Sequence, residues 1–315
     1  MCESDESIQW LYDSLSERIP APLKNLGELQ FALGLEFLWN DTRTVRLISK
    51  KLYVETLLDR YGMKDCKGAR DVIPNLKLMD IVNDEKLTDT KQIKKIQSIL
   101  GCARWLFRCT RIDIGYAVHM MSAASTNPTK NALRCAIQLL RYLKHTKHYT
   151  LNYSKEANNA SIDETELRDP KMKYNPLCPT VFTDSNWGVP KSVSSTITMF
   201  MHGAVSWDVH FQETVALSSV QAELVALSDG SRDLRQAKYL LAELDAGVYN
   251  KMYIYCDSSG AIKNGRHPIG CRKLRQVPTK EFDIRDCLRS RIFEIIKIEW
   301  TKNPADLCTK WLSPV

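Results

Sequence analysis

The sequence predicts an α/β fold preceded by an α+β region, and three observations carry that prediction. After residue 179 short apolar strands recur, two of them ending on aspartate at Asp184 and Asp257. A helical pattern from Val220 to Leu244 separates the third of these strands from the fourth. Upstream of residue 154 a strand pattern gives way to amphipathic helical runs. A length of 315 residues suits about two domains.

From Leu29 to Phe37 the apolar residues Leu29, Phe31, Leu33, Leu35 and Phe37 alternate with Gln30, Ala32, Gly34 and Glu36, the period of one strand. Asn40 and Asp41 supply turn chemistry before Val45 and Leu47, so a hairpin is expected. Ser49 can cap a helix whose stripe is Leu52, Val54, Leu57, Leu58 and Tyr61, with Gly62 as its stop. Residues 64–87 lack periodicity and contain Pro74, which reads as a surface connection. Three helical runs follow: Ile93 to Phe107, Ile114 to Met121, and one opened by Pro128 that passes through Ala136, Leu139, Leu140 and Leu143. The polar, proline-containing stretch 154–178 is the best boundary.

Beyond it, Val181 to Thr183 form a strand ending on Asp184, Thr196 to Met201 and Ala204 to Trp207 form two more around a His202-Gly203 turn, and Met252 to Cys256 end on Asp257. A last strand, Ile295 to Trp300, precedes a helix opened by Asn303-Pro304. The expected organisation is an extension (1–25), a hairpin-and-helix region (26–153), a linker (154–178) and an α/β domain (179–315).

Composition excludes several classes. Hydrophobic residues at 44% and charged residues at 26% are ordinary for a globular chain, and no stretch reaches the roughly 20 apolar residues of a membrane span. The acidic start, Met1 to Trp10, lacks the pattern of a signal peptide. The ten cysteines are scattered without metal-site spacing and read as buried thiols of a reducing compartment. No Gly-x-Ser-x-Gly elbow or P-loop is present. In Asp257-Ser258-Ser259-Gly260 the glycine stands one place too far for an aspartic-protease loop. His119, His145 and His148 read as surface or satisfied core residues, and Trp105, Trp187, Trp207 and Trp300 as core. The formal charge of +7 favours polyanions. Basic residues concentrate between Lys263 and Lys302, where the stretch reads either as a solvated face or as phosphate contacts from Lys263, Arg266, Arg272, Lys273, Arg275, Lys280 and Arg285, with Arg289 and Arg291 in the same stretch.

The chemistry lies with the carboxylates. Asp184 and Asp257 stand at the strand ends where open α/β sheets form sites. Glu223 lies near the start of the long helix and Asp306 in the first turn of the last, where unsatisfied N–H groups tolerate anionic charge. Taken singly, each reads as a strand-end or helix-cap residue; their joint placement points to a metal site. Clustered carboxylates repel unless a hard cation such as Mg²⁺ binds, with Mn²⁺ as a substitute. Two such ions about 4 Å apart suit an in-line displacement at phosphorus, which is nuclease chemistry.

Thr183-Asp184-Ser185-Asn186-Trp187, Val215 through Glu223, Cys256-Asp257-Ser258-Ser259-Gly260-Ala261 and Pro304 through Lys310 resemble the ribonuclease H signatures of copia-type retrotransposons. Gly203 and Val205-Ser206-Trp207 fall where that family has its glycine and Ser-Trp pair. Upstream, Leu33-Gly34-Leu35-Glu36, Tyr61 through Cys66, Thr110 through Val118 and Leu140 through Lys144 resemble the end of the family's polymerase, so the resemblance covers the chain from about Leu26 onward. The chain departs from the family at Ile112, at His210-Phe211, and at Gln276 and Phe282, where the family has histidines.

The resemblance implies the C-terminal part of a Pol polyprotein: a palm-edge hairpin with thumb and connection helices, then a ribonuclease H-like mixed sheet with flanking helices. Asp184, Glu223, Asp257 and Asp306 would hold two Mg²⁺ and cut the RNA strand of an RNA–DNA hybrid. Implied partners are the hybrid and the remaining Pol domains, polymerase palm and fingers and integrase, without a membrane. The implied location is cytoplasmic, in the virus-like particle of an intact element, or nuclear. The Tyr-x-Asp-Asp polymerase segment is absent from the sequence, so no reverse transcription is expected from this chain alone. The alternative is a catalytically decayed remnant that binds nucleic acid or does nothing.

Overall fold

The structure, a computed structural model, describes residues 5–19, 22, 27–40, 42–154, 177–188, 191–244, 252–266 and 283–311. Helix α1 (Asp5–Arg18) occupies the expected extension. Strands β1 (Phe31–Ala32), β2 (Leu35–Trp39), β3 (Val45–Ser49) and β4 (Thr150–Ser154) form an antiparallel sheet in that order. The alternation from Leu29 to Phe37 is therefore broken. Leu33 and Gly34 have φ of 52° and 71° and reverse the chain, pairing Ala32 with Leu35. The expected hairpin at Asn40 is present, its Oδ1 accepting from the N–H groups of Thr44 and Val45.

Helix α2 (Lys51–Arg60) ends in a turn where Gly62, at φ 67°, and Met63 donate to the Asp59 and Leu58 carbonyls. The connection beyond it contains one short helix, α3 (Leu78–Val82). Helices α4 (Thr90–Cys109), α5 (Gly115–Ala123) and α6 (Lys130–His145) follow the expected runs. Thr129, rather than Pro128, opens α6, its Oγ1 accepting from the Ala132 N–H. Arg111, 2% exposed, makes two hydrogen bonds to Asp113 (2.9 and 2.6 Å), and Tyr142 of α6 donates to the same carboxylate at 2.8 Å. The Arg-Ile-Asp motif thus ties the end of α4 to α6, since a buried cation persists only when paired.

The second sheet comprises β5 (Thr180–Asn186), β6 (Val193–Phe200), β7 (Gly203–Phe211), β8 (Tyr253–Cys256) and β9 (Glu294–Lys297), in the order β7-β6-β5-β8-β9. β6 runs antiparallel to β5 and β7, whereas β8 is parallel to both β5 and β9. Helix α7 (Ser219–Glu243) connects β7 to β8, α8 (Ser259–Arg266) and α9 (Asp283–Arg289) lie between β8 and β9, and the single turn α10 (Asp306–Thr309) closes the chain. This is the ribonuclease H-like mixed sheet with flanking helices. The turn after β6 uses Met201 and His202, both at positive φ, one residue earlier than expected.

Each face of this sheet has its own cover. On one, Val181 and Ile254 pack with Leu224, Leu227 and Leu234 of α7. On the other, Ile197, Ala204 and Trp207 join the core of α4, α5 and α6, so the apolar interior runs continuously across the boundary expected at 154–178. Most of that segment lies outside the described residues.

Gly230 sets the approach of α7 to the sheet: a Cβ there would lie 2.4 Å from Thr183 Cγ2 and 3.1 Å from Val181 Cγ1. Both contacts are β-branched strand residues with little room to yield. Gly230→Ala is therefore expected to destabilise by about 1–3 kcal/mol despite alanine's better helix propensity, measurable by urea unfolding. A stabilised variant would mean that α7 sits further from β5.

Candidate metal centre

The sheet delivers two of the four carboxylates and the helices deliver the others. Asp184 lies inside β5 rather than at its end, and Thr183 is paired with Cys256, so Asp257 emerges beside it from the parallel strand. Glu223 sits in the first turns of α7, whose entry is fixed by Ser218 Oγ accepting from the Gln221 N–H at 3.2 Å. Asp306 opens α10. Asn186 donates to the Thr309 carbonyl at 3.0 Å and Asn303 to the Thr183 carbonyl at 2.9 Å, fastening that turn onto β5.

All four expected acidic residues converge. Oxygen atoms of Asp184, Asp257 and Asp306 lie within 4.8 Å of one another, and a second group of Glu223, Cys256 and Asp257 meets the same limit. Asp257 belongs to both. Asp184 is fully buried, Glu223 and Asp306 are 9% and 7% exposed, and burial in like-charged company raises every one of these acids. Burial, then the charges of Asp184 and Asp257, pushes Glu223 up to about 8. Burial and Asp306 push Asp184 up to about 6, against the opposing hydrogen bond from Thr309 and the charge of Lys310.

Sequence reasoning missed the cations. Lys310 Nζ lies 2.9 Å from Asp306 and 3.4 Å from Asp184, and Lys297, anchored to Ser259 Oγ at 2.6 Å, also holds Asp257 down. The spacing of Asp306 and Lys310 by four residues could have revealed one of them. Of the expected phosphate contacts, Lys263, Arg266 and Arg285 lie on α8 and α9, while Arg272, Lys273, Arg275 and Lys280 lie outside the described residues, as do Gln276 and Phe282. Only Trp207 of the four tryptophans expected in the core is buried. Trp105, Trp187 and Trp300 are 48%, 55% and 68% exposed, Trp187 being fixed by its indole N–H donating to the Ala216 carbonyl at 2.9 Å. His119 is buried, its ring tilted against Phe211 at a centroid distance of 4.2 Å, but its Nε2 has no hydrogen-bond partner among the described residues.

The donor set suits a hard cation. The Cys256 thiol is pushed far up by burial and by Glu223, so it stays protonated and leaves only oxygen donors. Raised acids also set a pH dependence. The native protein keeps protons that the unfolded chain releases above about pH 4.5, so the metal-free protein loses stability as pH rises towards about 8. The thermal midpoint in EDTA should fall across that window, and fall less with Mg²⁺ or in Glu223→Gln. A flat or rising midpoint in EDTA would contradict this electrostatic picture.

The fold and site together define a ribonuclease H-like domain with an acidic centre, carried behind a hairpin-and-helix region. The retrovirus-related Pol polyprotein of the Nicotiana tabacum transposon TNT 1-94 is 27% identical over 296 residues, covering 91% of this chain and 21% of the relative. That of the Arabidopsis thaliana transposon RE1 is 26% identical over 305 residues, covering 96% of this chain and 19% of the relative. The homologues of this chain are thus retrovirus-related transposon Pol polyproteins, of which it spans about a fifth of the length. No protein-family model matches. Among solved structures, the N-terminal RNase H domain of a Mycobacterium tuberculosis protein, fused to maltose-binding protein, is similar at 13% identity with a TM-score of 0.32, over 42% of this chain and 91% of that one.

Proposed function

We propose that the chain is the C-terminal part of a copia-type Pol polyprotein, with linker 154–178 joining a polymerase remnant to the nuclease domain, and that it hydrolyses the RNA strand of RNA–DNA hybrids. The observation that supports this most is the convergence of four carboxylates, three buried and Asp257 half-buried, into two overlapping groups that share Asp257. Asp184, Glu223, Asp257 and Asp306 would hold two divalent ions, Mg²⁺ or Mn²⁺. Bound there, the ions supply activation of the attacking water and charge stabilisation of the leaving oxygen.

The chain's own residues do the rest. Thr309 donates to an Asp184 oxygen, and Asn186 and Asn303 fasten the α10 turn to β5 through backbone carbonyls, so the site is held before substrate arrives and little reorganisation is needed. Lys310 neutralises part of the cluster and, at 38% side-chain exposure, can swing towards a phosphate as cations enter. Lys263, Arg266 and Arg285 contribute phosphate contacts that follow backbone shape rather than base sequence.

The test is hydrolysis of an end-labelled hybrid by the full chain in Mg²⁺ and in EDTA, beside Asp257→Asn. Mg²⁺-dependent cleavage by the wild type alone is expected. Metal-independent binding without cleavage would favour a decayed remnant.

A further inference from the structure

The other end of the sheet holds a second concentration of charge. β8 and β9 are parallel and in register, with Glu294 level with Tyr253 and its N–H donating to the Met252 carbonyl, so Met252 and Glu294 lie together about 13–17 Å along the strands from Asp257. A cavity of about 620 Å³ opens there, walled by Arg266, Arg285, Arg289 and Arg291 over the apolar side chains of Met252 and Phe293. Glu294 is the one carboxylate among its described lining residues.

The arginines are set in place. Arg266 and Arg285 donate to the backbone carbonyls of Ile295 and Asn264, and Arg289 faces the exposed Asp286 at 3.3 Å. Arg291 has no anionic partner among the described residues. It occupies the left-handed region at φ 53°, at the turn closing α9, where the N–H groups of Arg291 and Ile292 donate to the Leu288 and Cys287 carbonyls. Glycine suits that position best, so an arginine there trades backbone ease for a cation on the cavity rim. Burial, and after it the charge of the neighbouring Arg289, pushes the Arg285 guanidinium down.

Several guanidinium forks converging on one space match a phosphate, which accepts from more than one at once. The volume is that of a site for a small molecule or a nucleotide unit, and the apolar floor accommodates sugar or base. We propose that this arginine-walled cavity binds the phosphate backbone of a nucleic-acid strand, as an anchoring contact separate from the carboxylate centre. The proposal rests on the reading that this chain handles nucleic acid.

The test is fluorescence anisotropy of a labelled RNA–DNA hybrid with the full chain in EDTA, across a salt series, for the wild type, Arg291→Gly and Arg289→Gln. Arg291→Gly relieves the left-handed backbone, so its thermal midpoint should equal or exceed that of the wild type, and weaker binding cannot then be ascribed to unfolding. Each variant is expected to raise Kd by about three- to tenfold and to lower the slope of log K against log salt by about one. Millimolar inorganic phosphate should displace the hybrid from the wild type more readily than from the variants. Unchanged Kd and slope in both variants would overturn the proposal, even if inorganic phosphate alone still bound. Because EDTA removes divalent ions, this result stands apart from hydrolysis, and either reading can fail without the other.

Discussion

Asp257→Asn is expected to lower Mg²⁺-dependent hydrolysis of an RNA–DNA hybrid by about 10²–10³-fold or more, the scale of losing a group that organises transition-state charge. Asp257 belongs to both groups of converging donors, so no remaining carboxylate can replace it for both ions. The same substitution should raise the thermal midpoint of the metal-free protein. Burial and Asp184 already raise Asp257, and replacing the carboxylate with a neutral amide of the same shape removes one carboxylate from a mutually repelling cluster. Lost activity together with gained metal-free stability separates a metal-site role from a structural one, because a structural carboxylate would lose both.

Trp207→Ala is the largest stability change expected, about 3–5 kcal/mol for truncating a buried aromatic. Trp207 leaves β7 for the core of the helices, where its ring meets Phe107 edge-on at 6.5 Å and its indole N–H donates to the Phe107 carbonyl at 2.7 Å. That carbonyl lies in the last turn of α4, among the groups a helix cannot satisfy internally. Truncation therefore opens a cavity between helices and sheet and strands an acceptor. Trp207→Phe keeps most of the packing and should cost about 1 kcal/mol for the lost hydrogen bond. Urea unfolding followed by far-ultraviolet circular dichroism compares the two, and equal midpoints for Trp207→Ala and the wild type would mean that the helices and the sheet are not coupled through this residue.

Where the sequence repeats a period, the fold could be read from it. The apolar stripes of α4 and α6, the strands ending near Asp184 and Asp257, and the long helical pattern of α7 are local patterns, and each is present. Local pattern misled where the backbone turns inside an apolar run. The alternation through Leu33 reads as one strand, yet Leu33 and Gly34 turn it back on itself. Trp300 reads as strand core but falls in a short 3-10 turn, 68% exposed.

The candidate site divides in the same way. Its four acids were legible because strand ends and helix starts are positions that sequence reveals. Lys297 was not, and Lys310 only through its spacing from Asp306, because the approach of these lysines to Asp257 and Asp184 depends on how β9 and α10 pack against β8 and β5. The role of Trp207 as the helix–sheet link was hidden for the same reason, its partner Phe107 lying 100 residues away.

The most direct test is single-turnover cleavage of an end-labelled RNA–DNA hybrid as Mg²⁺ is titrated, wild type beside Asp257→Asn. The four-carboxylate account predicts cleavage of the RNA strand by the wild type that rises with Mg²⁺ and vanishes in EDTA, and a variant slower by about 10²-fold or more at every concentration. Equal cleavage by both proteins, or none by the wild type at any Mg²⁺ concentration, would contradict it.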